Sequence, residues 1–383
     1  MTSGESPTML AAYAGLFGMW LISQHILIPV PFNLIATSTI ILYIGCHRSL
    51  RLRDKEHPDA GQAETLSSSD AYKFPVFGSI VLFSLYVVFK YFDKDTINLI
   101  LSIYFSVIGA FAMGATVEPM VGSFIRVSAK RVGPKFTLPL VGEVDLSFTA
   151  AEALSLLGGV VFSLFYFKTK HWALNNIFGI TFCVQAIERI SVGSVKVGYI
   201  LLIGLFFYDV FWVYGTPVME GVAKNVDGPI KLVFVRAWAD LSADPPKKMD
   251  ASILGLGDIV VPGLFVSLLL RFDAEMAKAD PKLAENARFK KPFFHAALVS
   301  YVLGLLATVA VMFYFKAAQP ALFYLVPACL LSCTLTAWIR KDFTALWAYS
   351  EEEDEDGEAE KKDGDGSKGA ANGGAAAKAV KSD

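Results

Sequence analysis

About 17–25 consecutive apolar residues suffice to cross a bilayer as a helix, and runs of that kind recur along most of this 383-residue chain. They lie in Met9–Cys46, Phe74–Tyr91, Ile97–Gly114, Phe148–Phe167, Trp172–Ile190, Val197–Tyr214, Ala251–Leu270, Phe293–Phe315 and Ala321–Ile339. The predicted fold is an all-α polytopic membrane bundle of nine transmembrane helices. The first zone is longer than one crossing needs. It has room for one crossing plus a short re-entrant or second helix, with Pro29 and Pro31 as the break. Two full crossings there would raise the count to ten. Charged residues make up 18% of the chain, against about 25% in soluble domains.

Loop charge orients such a bundle. With nine crossings, nineteen Lys and Arg fall on one side and ten on the other, the remaining five lying in the distal tail. The N-terminus is therefore expected in the lumen and the C-terminus in the cytosol. The basic residues are scattered through short loops rather than gathered in a patch, which argues against nucleic acid as a partner. Cys46, Cys183, Cys329 and Cys333 all lie in apolar stretches and read as buried small hydrophobes. No Cys or His spacing suits a metal, and no cofactor is expected. The nine-helix domain is expected over residues 1–347. From 348 to 383 the chain reads as a disordered cytosolic tail of acidic residues, Gly, Ala and Lys.

Two acids break this apolar pattern. Asp209 interrupts VGYILLIGLFFYDVFWVY and Asp258 interrupts ASILGLGDIVVPGLFVSLLL. An acid at the centre of a spanning helix costs about 2.5–3.5 kcal/mol, so the pair carries a penalty of roughly 5–7 kcal/mol. With both runs helical, at 1.5 Å per residue, the two carboxyls fall about 8–11 Å below the same lumenal end. Carboxyls at matching depth on antiparallel neighbours form a dyad in which one keeps a proton and the other stays charged. Such a pair supplies one general base for water and one general acid for a peptide group. The alternative is a proton-coupled transporter using the same acids, although no inverted repeat is visible and the acids cluster in one helix pair.

Other residues join them. Gly255 and Gly257 flank Leu256 and permit local unwinding and close approach of a substrate backbone, while ordinary small-residue helix packing is the other reading. The Tyr208 hydroxyl, next to Asp209, is placed to orient substrate or water. Gln319–Pro320–Ala321–Leu322 reads alone as an unexceptional helix start. The Gly228–Phe234 loop is a candidate to pair with an unwound substrate as an extended strand.

Together, Tyr208–Asp209 in FFYDVFWVYGTPVM, Gly255–Leu256–Gly257–Asp258 in GLGDIVVPG and Pro320–Ala321–Leu322 in QPALFYLVPA resemble the three signatures of the GxGD intramembrane aspartyl proteases. The flanking text, including Phe211–Trp212–Val213, Gly228–Phe234 and Leu269–Asp273, is similar to the signal peptide peptidase branch rather than to presenilin. The GCHRS segment looks more like plant or algal members than animal ones. The resemblance implies a nine-helix fold and Asp209 and Asp258 as the catalytic pair, with Pro320–Ala321–Leu322 packed beside them. It also implies substrates that are leftover signal peptides and type II single-pass segments, in the endoplasmic reticulum membrane. Self-association is left open. The chain lacks an Asn-X-Ser/Thr sequon and ends without a dilysine pattern, so residence in the endoplasmic reticulum rests on the resemblance.

Overall fold

The computed structural model describes residues 7–53, 64–124, 135–138, 142–145, 148–238, 249–279, 289–315 and 319–351. The first apolar zone is two helices, α1 (Pro7–Ile22) and α2 (Val30–Ser49), separated by a break ending at Pro29. Only the second has the length of a full crossing, since α1 has 16 residues and α2 has 20. Then follow α3 (Ser68–Tyr91), α4 (Lys94–Phe124), α5 (Ala150–Thr169), α6 (Trp172–Arg189) and α7 (Val195–Tyr214). After a short helix α8 (Val218–Asn225) come α9 (Gly257–Met276), α10 (Pro292–Phe315), α11 (Leu322–Arg340) and a final turn α12 (Phe343–Ala348). Among the described residues, nine helices therefore have 18 or more residues: α2 to α7 and α9 to α11. The protein is a polytopic membrane protein, and these nine are its spanning set.

Seven of the nine are apolar along their length. The other two, α6 and α9, are more polar because their polar side chains point into protein instead of lipid. Helix α9 is the centre of the bundle, with all residues from Val261 to Ala274 buried, and it packs against α2, α6, α7, α10 and α11. Gly198 lets α7 approach it closely: a Cβ there would lie 2.8 Å from Phe265. Helices α3, α4 and α5 instead turn Phe77, Ile80, Ile100, Phe111 and Leu164 outward, as lipid contact requires.

Among the described residues, three two-stranded sheets connect the helices. β1 (Glu64–Leu66) runs parallel to β4 (Ile190–Val192), β2 (Lys135–Leu138) is antiparallel to β3 (Gly142–Asp145), and β5 (Lys231–Ala237) is antiparallel to β6 (Asp250–Gly255). The last pair corrects the sequence reading. Ala251–Leu270 is not one helix: Asp250–Gly255 is a strand paired with β5, and the helix begins at Gly257. Short apolar runs such as Ala251–Leu254 fit either state, and here the pairing with β5 decides.

Charge at the far end of the bundle is matched. Arg48 of α2 and Glu188 of α6 form an almost fully buried ion pair of 2.7 Å, and Arg48 also donates to the Ala115 and Thr116 carbonyls of α4. Arg271 of α9 pairs with Glu351 at 2.7 Å. Glu351 also accepts from the Ser191 and Tyr349 hydroxyls, and its N–H donates to Gly193. The packed chain thus runs to Glu351, past the boundary expected at 347. The remainder of the predicted tail, 352–383, lies outside the described residues.

Candidate active site

Asp209 sits within α7, five residues before its end at Tyr214, and is 3% exposed. Its carboxylate Oδ2 accepts the Leu322 N–H at 3.0 Å. The physical origin of that bond is the start of α11. The first N–H groups of any helix lack internal partners, Pro320 has none to offer, and Leu322 is the first residue of α11. Its unpaired donor therefore points at an acid on another helix. Gln319, just before, accepts hydrogen bonds from the Tyr214 and Tyr324 hydroxyls. Pro320 and Ala321 are buried. The four-residue segment thus holds the α11 end against the Asp209 region of α7.

Asp258 reaches the same place differently. It lies in the first turn of α9, next to the exposed Gly257, so the expected count of helical turns down to it does not apply. Strand β6 carries the chain inward instead, at about 3.3 Å per residue. A Cβ on Gly255 would meet Asp258 Oδ2 at an ordinary 3.4 Å. A Cβ on Gly257 would meet nothing within 4 Å. At this point Leu256 forms the turn between strand and helix and donates its N–H to Ile230. Tyr301 of α10 donates its hydroxyl to the Asp258 backbone carbonyl at 3.3 Å.

Asp209 and Asp258 lie on helices α7 and α9, which pack against each other. Among the described residues neither acid has a cationic partner within salt-bridge distance. Tyr208 adjoins Asp209 in the chain and packs toward α3. Its ring lies against Gly78 of α3, and its hydroxyl makes no hydrogen bond to either acid among the described residues.

The Gly228–Phe234 segment also needs correction as a substrate strand. From Lys231 onward it is already paired with β6, and its opposite edge is taken. Asn176 of α6 donates to the Val233 carbonyl at 2.7 Å and accepts the Val233 N–H at 2.8 Å. Asn175 donates to the Lys231 carbonyl at 2.9 Å. Both groups of a strand residue point to one side, so Val233 faces away from β6 and its register partner Ile253 faces away from β5. The edge of β6 at Ile253 has no main-chain partner among the described residues. That open edge leads to Gly255 and Asp258. Sequence reasoning gave the two asparagines no role beyond a weak family likeness and missed Tyr301; adjacent amides inside an apolar run were the available signal.

The family model described as signal peptide peptidase matches residues 59–353, which include both acids. The chain is 37% identical over 331 residues to the signal peptide peptidase of Homo sapiens, covering 85% of this chain and 84% of that protein. It is 43% identical over 215 residues to intramembrane protease 2 of Caenorhabditis elegans, covering 56% of this chain and 46% of that protein. To signal peptide peptidase-like 1 of Arabidopsis thaliana it is 27% identical over 364 residues, 84% of this chain and 93% of that protein. Each of these names describes a peptidase or its likeness, and nothing supports the transporter alternative. Nine spanning helices, two acids without cationic partners on adjacent helices, and this similarity lead to one conclusion: the chain belongs to the signal peptide peptidase family and is an intramembrane aspartic protease.

Proposed function

We propose that Asp209 and Asp258 are the catalytic pair, sharing one proton and hydrolysing peptide bonds of membrane-embedded segments with water as nucleophile. The observation that carries this reading is that α7 and α9 pack against each other and each brings an acid with no cation beside it among the described residues, Asp209 being held by the Leu322 N–H. The ionised carboxylate takes a proton from water as the water oxygen bonds to the peptide carbon, while the protonated carboxyl donates to the carbonyl oxygen. As the tetrahedral intermediate collapses, the first gives its proton to the leaving amine nitrogen as the C–N bond breaks and the second takes back the hydroxyl proton. The main-chain donor from Leu322 holds Asp209 in place for both steps. Pro320 and Ala321 serve by presenting the Leu322 donor, Gln319 by anchoring that segment to Tyr214 and Tyr324, and Tyr208 lines the α3 side.

Substrate enters this account as an extended backbone. The open edge of β6 at Ile253 accepts an added strand, and the empty space at Gly257 lets its backbone pass close to Asp258. Leu256, at the turn, borders the same passage. The substrates that fit are remnant signal peptides and type II single-pass segments, in the endoplasmic reticulum membrane, with the hairpin on the lumenal side. Similarity to proteins named signal peptide peptidase supports that substrate class. The test is cleavage of a membrane-embedded signal-peptide substrate by purified protein, with and without a transition-state inhibitor of aspartic proteases. Turnover that is blocked by the inhibitor, and absent in Asp209→Asn and Asp258→Asn, is the expected result. Full activity in either variant overturns the pair.

A further inference from the structure

Helix α6, inside a membrane bundle, carries two adjacent buried asparagines near its start. Asn175 and Asn176 are each 8% exposed, and each buried amide must find partners. They find them on one strand edge. A side-chain carboxamide carries the donor and acceptor of a peptide group, so Asn176 bonding both the N–H and C=O of Val233 imitates one residue of a neighbouring strand. Asn175 continues the imitation at Lys231, two residues along the same edge, and is itself held by the Tyr166 hydroxyl at 3.3 Å. Beyond Asn176 the cleft against Trp20, Asn33 and Thr37 has a volume of about 20 Å³, room for a single water and not for a peptide.

We propose that Asn175 and Asn176 are positioning residues that serve as a surrogate third strand of the β5–β6 hairpin and thereby set the cleavage register. They act in two ways. By filling the β5 edge they leave the β6 edge as the one open to an extended peptide among the described residues. By fixing Lys231 and Val233 to α6 they also fix the residues opposite, Gly255 and Ile253, and hence the height of the open edge relative to Asp258. A strand without a fixed register slips in steps that change which residue faces which. In this protease a slip delivers a different peptide bond to the acids. This proposal rests on strand addition at β6, and its test separates the two.

The experiment uses the full chain, purified in detergent, with a signal-peptide substrate whose products are identified by mass spectrometry. Asn176→Leu removes both bonds to Val233 at similar volume, Asn175→Leu removes the bond to Lys231, and Asn176→Gln keeps the amide while displacing it. Binding of an active-site inhibitor checks that each variant is folded. Expected in Asn176→Leu is a KM raised ~5- to 30-fold, as loss of two hydrogen bonds implies, with a smaller change in kcat and products spread over neighbouring bonds. Asn175→Leu shifts products in the same sense to a lesser degree, and Asn176→Gln partly restores the single cut. Unchanged KM and unchanged product ends in the folded Leu variants overturn the proposal. Should Asn176→Leu fail to bind inhibitor, Asn175→Leu and Asn176→Gln decide, and wild-type products from both overturn it. A substrate N-methylated beside the cleaved bond serves as control. If methylation does not slow the wild type, strand addition itself fails, whereas sensitivity to methylation with unmoved products sinks only the role of the asparagines.

Discussion

Asp258 and Asp273 lie on the same helix and are treated in opposite ways. Asp273 is 3% exposed and accepts the backbone N–H groups of Phe293 and Phe294 at 3.4 and 2.9 Å, closing the start of α10. Around it, at the same end, Arg48 answers Glu188 and Arg271 answers Glu351. Asp258, at the other end of α9, has another acid as its neighbour instead of a cation. A buried charge is tolerable when matched, so the matched end explains itself as architecture. The unmatched end has no such explanation, and that asymmetry separates proposed chemistry from scaffold within one helix.

The sharpest way to break this contrast is to neutralise each end in turn. Asp209→Asn or Asp258→Asn should lower cleavage on the order of 10³-fold or more while leaving melting in detergent nearly unchanged, and the double variant should be no slower than either single one. At the other end, Arg48→Met strands Glu188 and should cost about 3–5 kcal/mol of stability. The double change Arg48→Met with Glu188→Leu should recover much of that loss. Cleavage per folded molecule should be unaffected in both; a thousandfold loss of specific activity there would erase the distinction between the ends.

Glu351 offers a smaller, pH-dependent version. Burial alone would raise its carboxyl, but the Arg271 charge and the hydrogen bonds from Arg271, Ser191 and Tyr349 outweigh burial and hold it below its ordinary value. A depressed carboxyl contributes stability that is present above the ordinary glutamate range, about pH 4–4.5, and is lost as pH falls through the folded-state value. Glu351→Gln should cost about 1–3 kcal/mol at neutral pH, and its deficit against wild type should shrink in melts taken below about pH 4. A constant deficit from pH 7 to 3 would show that packing, not the ion pair, secures this segment. The smallest effect on stability is expected at Gly257→Ala. With nothing within 4 Å of the added methyl, folding should be unchanged or improved by about 0.4–1 kcal/mol. Cleavage should nonetheless fall several-fold, because the methyl enters the space proposed for the substrate backbone. Equal cleavage would place the substrate on another side of Asp258.

The bundle was legible because lipid imposes a length on every apolar run. Even the first zone declared its break at Pro29. The start of α9 was not legible, since Ala251–Leu254 satisfies strand and helix patterns alike and its partner β5 lies in a segment that reads as loop. The acids stood out as charges in apolar text, and Pro320–Ala321–Leu322 stood out by resemblance. What makes that segment useful to Asp209, however, is the Leu322 backbone N–H, which no side-chain pattern announces. Asn176 was visible as a polar residue out of place, but its partner is likewise a backbone edge. Tyr208 shows the converse, a residue chosen for its neighbour in the chain whose ring is turned toward Gly78.

The turn at Leu256 has a consequence for resident membrane proteins. An intact transmembrane helix has already spent its amides and carbonyls on itself, so it offers a free strand edge nothing to hold. On the proposed reading, a neighbour drifting past Ile253 is ignored unless part of it has frayed. Safety toward the host's own membrane then needs no recognition of particular side chains, because helical order in the passer-by is what spares it.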